Sequence, residues 1–305
     1  MQTHSDFINI EQASREDILD LCARAVEFEK NGIPIDALRG KVVASLFFET
    51  STRTRLSFET AVHRLGGSII GFSGVEGTSM YKKGESFEDT IRMVDGYADA
   101  IVIRHPEVGS AQHAADCAMH PVINAGDGAN QHPSQSLLDL FAIYKTHGTL
   151  DGLTVAFAGD LKYGRVPHSA AKALAQFPTT KQLWIAPESL QMPKEILHYV
   201  TERGVAVEQT TELAKTIPTL DILYMTRVQV ERFEDISEYE RLKDVYILKP
   251  EMLAGAKEQM KILHALPRRY EIPESIDSSK HAYYFDQAKG GVAMRAALLT
   301  TLLAA

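Results

Sequence analysis

Two hydrophobic rhythms alternate along the chain. After Ser14, with Asp17 three residues on, Ile18, Leu21, Cys22, Ala25 and Val26 recur at helical spacing, which reads as a capped amphipathic helix. Residues 41–49, KVVASLFFE, are instead a short β-prone run. Phe58, Ala61, Val62 and Leu65 then mark a helix closed by Gly66 and Gly67. Strand, tight loop and helix thus follow one another, and the pattern recurs. Further strands are expected over residues 100–103, 122–124, 154–158, 183–186, 222–225 and 261–264, several with helical stretches between them. Such alternation predicts an α/β fold of two domains, each with a largely parallel β-sheet flanked by helices.

Leu137, Leu140, Phe141 and Tyr144 define a helix ending at Gly148, and a fresh β-run begins at Leu153, so the domain change falls within or beside that helix. Gly290 and Gly291 precede Val292, Ala296, Leu299 and Leu303, an amphipathic final helix expected to return to the first domain. The expected division is 1–133, completed by a C-terminal helix over 289–305, and 134–288. Residues 71–85 are the least regular internal stretch.

The length of 305 residues suits two domains, each large enough for its own core. A formal charge of −8 argues against a general nucleic-acid binder, so an anionic ligand must be held by locally concentrated positive charge. The longest apolar stretches, such as 42–48, fall far short of the roughly 18 residues of a membrane-spanning helix. With no leader-like pattern at the N-terminus, the expected location is cytoplasmic. Cys22 and Cys117 cannot build a disulfide framework.

In open α/β sheets ligands bind beyond the carboxyl ends of the strands. The residues there are unusually polar: Ser51-Thr52-Arg53-Thr54-Arg55, Arg104-His105-Pro106, GDGANQHPSQ at 126–135, GDLKYGR at 159–165, TRVQ at 226–229 and HALPRR at 264–269. The first of these sets hydroxyls and guanidinium groups at a strand-to-helix turn, where backbone N–H groups and the helix dipole favour an anion. In isolation a hydroxyl-capped helix with Arg53 and Arg55 solvated is the better explanation of that segment. Donor density across the other loops shifts the balance toward a phosphate site.

GDLKYGR has the glycine spacing of a P-loop, but Arg165-Val166 replaces the Lys-Ser/Thr that phosphate and magnesium require. Leu161 also occupies the place of the middle glycine in a dinucleotide fingerprint. A dinucleotide cofactor is not expected. GFSGV at 71–75 fails the nucleophile-elbow pattern, and no His-Glu-x-x-His occurs. His113, Cys117 and His120 would share one face were their segment helical, but the histidines would lie about 10 Å apart along the axis, too far for one small metal. A surface helix is the preferred reading over a weak His113-x-x-x-Cys117 site. No metal site is expected.

Taken in order, Ser51–Arg55, KKGE at 82–85, Arg104-His105-Pro106, NAGDGANQHPSQ at 124–135, GDLKYGR, YMTRVQ and HALPR closely resemble the aspartate carbamoyltransferase catalytic chains, the aspartate branch of the carbamoyltransferase family. The resemblance spans nearly the whole chain. It implies the carbamoyltransferase fold, with a carbamoyl phosphate-binding domain over 1–133 and 289–305 and an aspartate-binding domain over 134–288. It also implies transfer of a carbamoyl group from carbamoyl phosphate to L-aspartate, giving N-carbamoyl-L-aspartate and phosphate in pyrimidine biosynthesis, without a cofactor.

By matching positions, Ser51, Thr52, Arg53 and Thr54 would bind the phosphate, with Arg104, His132 and Gln135 completing the carbamoyl phosphate site. Arg53, Thr54, Lys83, Arg104 and His132 would be the catalytic groups. Lys83, Arg165, Arg227 and Gln229 would serve aspartate, and the Leu266-Pro267 backbone would contact the carbamoyl amino group and the incoming amine. Ser79 and Lys83 would reach into a neighbouring chain's site, which implies a homotrimer with shared active sites. Regulatory chains are a possible further partner. Glu49 and Arg232 would act in domain closure. Arg165, Arg227 and Arg268 argue against a cationic acceptor such as ornithine. The presence of Arg53, Lys83 and His132 argues against a silent binding homologue. Ala265 replaces the proline common before Leu-Pro in this family, and Tyr81 is bulky for its loop.

Overall fold

The apolar run Val42–Phe47 forms β1, which is buried almost throughout, as a strand of a parallel sheet covered on both faces must be. It belongs to the first of two units into which a computed structural model divides the chain: Met1–Phe141 with Lys289–Ala305, and Ala142–Ala288. The structure describes residues 1–228 and 246–304.

Unit 1 opens with α1 (Arg15–Asn31), whose N-terminus carries the capping box expected of Ser14 and Asp17. Its sheet runs β2-β1-β3-β4, with β2 (Ser68–Ser73), β3 (Ala100–His105) and β4 (Val122–Asp127) joined entirely by parallel pairing. α2 (Thr52–Arg64), α3 (Ser79–Lys83), α4 (Phe87–Asp95) and α5 (Ser110–Cys117) connect the strands. After β1 the chain adds β2 on one side and β3 on the other, so strand order reverses between β1 and β3. Outside the carboxyl ends of such a pair lies the crevice where open α/β sheets bind ligands.

β2 is absent from the strands expected of the sequence. It is an edge strand of alternating exposed and half-buried residues, and Gly71 within it takes φ +139° opposite Ser45. A Cβ there would stand 2.1 Å from the Ser45 carbonyl oxygen, so the glycine that looks like a loop signal is a close strand approach. His113 lies on α5, 2.9 Å from Glu88, while His120 lies beyond that helix, 3.1 Å from Asp95. The two imidazoles face separate carboxylates.

Unit 2 repeats the plan with the order β7-β6-β5-β8-β9, again all parallel. Its strands are β5 (Thr154–Ala158), β6 (Lys181–Ile185), β7 (Val207–Thr210), β8 (Ile222–Met225) and β9 (Lys261–Leu263). α7 (Arg165–Leu174), α8 (Lys194–Thr201) and α9 (Leu213–Thr216) lie between them. Trp184 and Tyr224 are buried in this unit; full burial of a side chain such as Leu or Phe stabilises by about 1.5–3 kcal/mol. Here the order reverses between β5 and β8. β7, with sequence VEQT at the sheet edge, is the second strand the hydrophobic pattern does not reveal.

The chain passes between units within α6 (Pro133–His147) and again within the C-terminal helix (Tyr284–Leu303). That last helix begins earlier than its apolar spacing suggests, and it carries Gly290 and Gly291 in its interior. A helical glycine costs about 1 kcal/mol relative to alanine, so packing must require these two. A Cβ at 290 would meet the Phe141 ring at 3.0 Å, and one at 291 would meet Arg295 Nη1 at 2.3 Å. Within unit 1 the helix buries Met294, Ala297, Leu298, Leu299, Leu302 and Leu303. It is further tied down by Arg24 Nη1 donating to Thr301 Oγ1 at 3.1 Å and His4 N–H donating to the Leu302 carbonyl at 2.8 Å.

Candidate active site

Both strand-order reversals release a helix whose N-terminus lacks a capping side chain. α1 and α4 are capped by Ser14 and Ser86, each accepting from an N–H two residues into the helix or further. α2 follows β1 with Ser51 extended at φ −154° and making no side-chain cap, and α7 follows β5 behind Gly164, likewise without one. The hydroxyl-capped alternative for Ser51 is therefore not what the chain adopts. First-turn N–H groups that no side chain satisfies, with the positive end of the helix dipole, favour an anion.

Around the start of α2, three elements bring polar groups together. Thr54 in the first turn is buried, and its Oγ1 lies 3.4 Å from His132 Nε2. Arg104, near the end of β3, places Nη1 3.5 Å from the same nitrogen and 3.4 Å from the Ala125 carbonyl. Both histidine contacts are long for hydrogen bonds, so the three groups converge without saturating one another. Ser134 Oγ stands 3.3 Å from His132 Nδ1. Gln135 donates its backbone N–H to the His132 carbonyl at 2.9 Å, and its Nε2 donates to Asp139 Oδ1 at 2.8 Å. Arg53 is exposed as a residue, yet partial burial of its guanidinium lowers its pKa from the ordinary value.

Glu49 sits 2.7 Å from Arg104 Nε, a charge contact rather than an aligned hydrogen bond. The next residue, His105, packs its ring 4.7 Å from Phe48 and 5.3 Å from Phe87, and burial pushes its pKa down. Its Nδ1 accepts the Glu107 N–H at 3.1 Å, so the ring also braces the loop after β3. Ser79 and Lys83 stand apart from this cluster. They lie on α3, a helix with no buried residue, and among the described residues their side chains make no hydrogen bond or ion pair.

Unit 2 holds the second group of expected residues. Arg165 is the first residue of α7, where a cation opposes the helix dipole, so helix stability does not explain it. Arg227 follows β8 and is half-buried. Gly159, at φ +123°, ends β5 against Thr226; a Cβ would stand 2.2 Å from the Thr226 carbonyl oxygen, so glycine allows the loops bearing Arg165 and Arg227 to leave adjacent strands. Gln229 and Arg232 lie outside the described residues.

After β9, the Leu266–Pro267 peptide is cis and Leu266 has φ +57°. His264 holds this turn. Its Nδ1 accepts the Leu266 N–H at 2.8 Å, its Nε2 faces Glu271 Oε1 at 2.8 Å, and its own N–H donates to Gln287 Oε1 at 2.9 Å. Burial would raise the Glu271 pKa, but the hydrogen bonds it accepts from His264 Nε2 and from the Arg269 N–H hold the carboxyl below the usual range. Arg268 is engaged by Asp277 in an ion pair, and Tyr284 also hydrogen-bonds Asp277. It therefore braces the loop from within.

Sequence reasoning did not find Asp139, Ser134, Glu271 or Gln287. Asp139 had a readable signal, because Gln135 and Asp139 are four apart on a helix and so share a face. Glu271 had none, since it lies seven positions from His264 along an irregular loop.

Comparison with known proteins places these groups in one family. Residues 5–145 match the family described as aspartate/ornithine carbamoyltransferase, carbamoyl-P binding domain, and residues 151–302 match its Asp/Orn binding domain. The aspartate carbamoyltransferase catalytic subunit of Thermococcus kodakarensis is 54% identical over 297 residues, covering 96% of this chain and 95% of that protein. The same subunit of Aliivibrio fischeri is 52% identical, covering 97% and 96%. Among solved structures, aspartate transcarbamoylase of Trypanosoma cruzi in complex with N-(phosphonacetyl)-L-aspartic acid superimposes with TM-score 0.92 at 38% identity, covering 99% of this chain and 97% of that one. The catalytic subunit of M. jannaschii aspartate transcarbamoylase gives TM-score 0.90 at 42% identity, with 97% of each chain covered.

Proposed function

Because the chain belongs to the aspartate/ornithine carbamoyltransferase family, we infer from the placement of its polar residues how it carries out the family's aspartate reaction. The enzyme transfers the carbamoyl group of carbamoyl phosphate to the amino group of L-aspartate, giving N-carbamoyl-L-aspartate and phosphate, a reaction of pyrimidine biosynthesis.

In the proposed arrangement, Ser51, Thr52, Arg53 and Thr54 take the phosphate at the N-terminus of α2, while Arg104, His132 and Gln135 hold the carbamoyl group. Arg165, Arg227 and Gln229, with Lys83, take the aspartate carboxylates, and the Leu266-Pro267 backbone meets the carbamoyl amino group and the incoming amine. The observation that carries this reading is the convergence of Thr54 and Arg104 on His132 Nε2, from three separate elements beside an uncapped helix. Domains follow the same division of labour: 1–133 with 289–305 for carbamoyl phosphate, 134–288 for aspartate. Domain closure remains the proposed role of Glu49 and Arg232.

The chemistry suits such donors. Carbamoyl phosphate is already activated as a mixed anhydride, so transfer needs no redox step and no cofactor. Attack of the neutral amine breaks the carbamoyl C–O bond to phosphate as the new C–N bond forms. Negative charge builds on the carbamoyl oxygen, where donors from Thr54, Arg104 and His132 would stabilise it, each worth about 10²–10³ in rate. The departing phosphate accepts the amine proton. Positioning and electrostatics thus supply most of the catalysis.

The assembly we propose is a homotrimer in which Ser79 and Lys83 enter the neighbouring chain's site. Their exposure, and the absence of side-chain partners for them among the described residues, supports this. The description of the relatives as catalytic subunits supports regulatory chains as a further partner. A cytoplasmic location is proposed; among the described residues no helix is long and apolar enough to cross a membrane.

The test is carbamoyl phosphate-dependent product formation with aspartate and ornithine in parallel, using wild type and Arg53→Ala. Product with aspartate alone, abolished in the variant, is expected. Product with ornithine would overturn the acceptor assignment, and an Arg53→Ala enzyme of normal KM for carbamoyl phosphate would overturn the phosphate site.

A further inference from the structure

Two buried side chains of opposite charge, coupled electrostatically, are not required directly by the reaction: Asp139, which Gln135 touches, and Arg295. Asp139 is 1% exposed and Arg295, on the C-terminal helix, 3%. Burial lowers the Arg295 pKa to about 10, with Asp139 supplying the opposing charge that raises it. The guanidinium lies over the Phe58 ring, its carbon 5.0 Å from the centroid, and its Nε has no hydrogen-bond partner. Gly291 leaves room for it, since a Cβ there would stand 2.3 Å from Nη1. Burying an arginine beneath a binding site is costly, and a hydrophobic residue would fill the space more stably. Its presence calls for a reason beyond packing.

The reason lies in what Asp139 does to Gln135. A side-chain amide has a donor end and an acceptor end, and a carboxylate beside a guanidinium has acceptors only. Asp139 Oδ1 therefore takes the amide NH2, at 2.8 Å, and leaves Oε1 as the end Gln135 can offer to a ligand. On carbamoyl phosphate the one strong donor is the carbamoyl NH2. We propose that Asp139, held by the charge of Arg295, is a positioning residue that fixes the Gln135 amide with its oxygen toward the carbamoyl NH2, and so selects carbamoyl phosphate over acyl phosphates that carry a methyl group there. The proposal rests on Gln135 contacting the substrate. A site built to accept an N–H rejects the analogue without it, because its acceptor is left unpaired.

Asp139→Asn tests this directly. The new amide turns its oxygen to Arg295 and its NH2 to Gln135, which reverses Gln135 and sets donor against donor at the carbamoyl group. We expect KM for carbamoyl phosphate to rise about tenfold, as for loss of one well-made hydrogen bond. Competitive inhibition constants for acetyl phosphate and inorganic phosphate, which present no NH2, should stay within about twofold. Equal weakening of all three ligands would show Asp139 to be a structural prop and overturn the inference. Gln135→Ala separates the two levels of the argument. If it too raises KM for carbamoyl phosphate selectively while D139N leaves it unchanged, the positioning role alone fails. If Q135A changes nothing, the contact beneath it fails as well. Should D139N not fold, with Arg295 left uncompensated, the double variant D139N/R295Q carries no buried charge, and the same ratios decide.

Discussion

Two buried histidines near strand ends, one in each unit, use their ring nitrogens in opposite ways. His264 has a partner on each, the Leu266 N–H and Glu271 Oε1, both at 2.8 Å. His132 is equally buried, but its contacts to Ser134, Thr54 and Arg104 run from 3.3 to 3.5 Å. Short and fully used contacts hold a backbone turn in place. Longer, shared ones gather Thr54, Ser134 and Arg104 around one ring, the kind of donor cluster that can stabilise a charge developing in a reaction.

The contrast predicts opposite mutational signatures. His132→Ala should lower kcat by about 10²–10³ while leaving the thermal midpoint nearly unchanged, measured by steady-state assay and calorimetry; a large fall in the midpoint with normal kcat would erase the distinction. Glu271→Ala should do the reverse. It leaves the buried His264 N–H without its acceptor, which destabilises by about 1–3 kcal/mol in denaturant titration. Activity should fall less than in H132A, through a looser Leu266-Pro267 turn.

A gentler variant, Glu271→Gln, keeps the shape and removes the titration. The folded-state pKa of Glu271 is depressed, so its contribution is fully present above the ordinary glutamate value of 4.5 and fades as pH falls through the lower folded value. Thermal midpoints of wild type should therefore drop over that acid range, and those of E271Q should drop less; parallel curves would refute the assignment. The smallest effect is expected of Ser134→Ala, which removes a 3.3 Å contact to His132 Nδ1. A loss of about three- to tenfold in kcat/KM is expected from one weak hydrogen bond, and a loss as large as that of H132A would mean the ring is held chiefly from this side.

Much of this was legible in the sequence, for identifiable reasons. Central strands such as β1 and β8 announce themselves because burial on both faces demands apolar runs. Edge strands β2 and β7 do not, since one side of each meets solvent and their residues are mixed. The polar residues after β1, β3, β5 and β8 stood out, and the fold explains why: β1–β3 and β5–β8 are the places where strand order reverses. What stayed hidden were partners fixed only by tertiary structure, such as Glu271 behind His264 or Arg295 beside Asp139. Gly290 and Gly291 misled in an instructive way. Glycine before an apolar stripe reads as a helix boundary, whereas here it makes room inside one.

The C-terminal helix has a consequence for synthesis. Unit 1 is completed only by Lys289–Ala305, a segment made after all of unit 2 has been translated. Until that segment is made, the surface that will receive Leu298, Leu299, Leu302 and Leu303 remains uncovered. Domains generally fold in the order they emerge, at roughly 5–20 residues per second. This chain departs from that order in its finishing step: unit 1, although begun before unit 2, cannot close until unit 2 has been made.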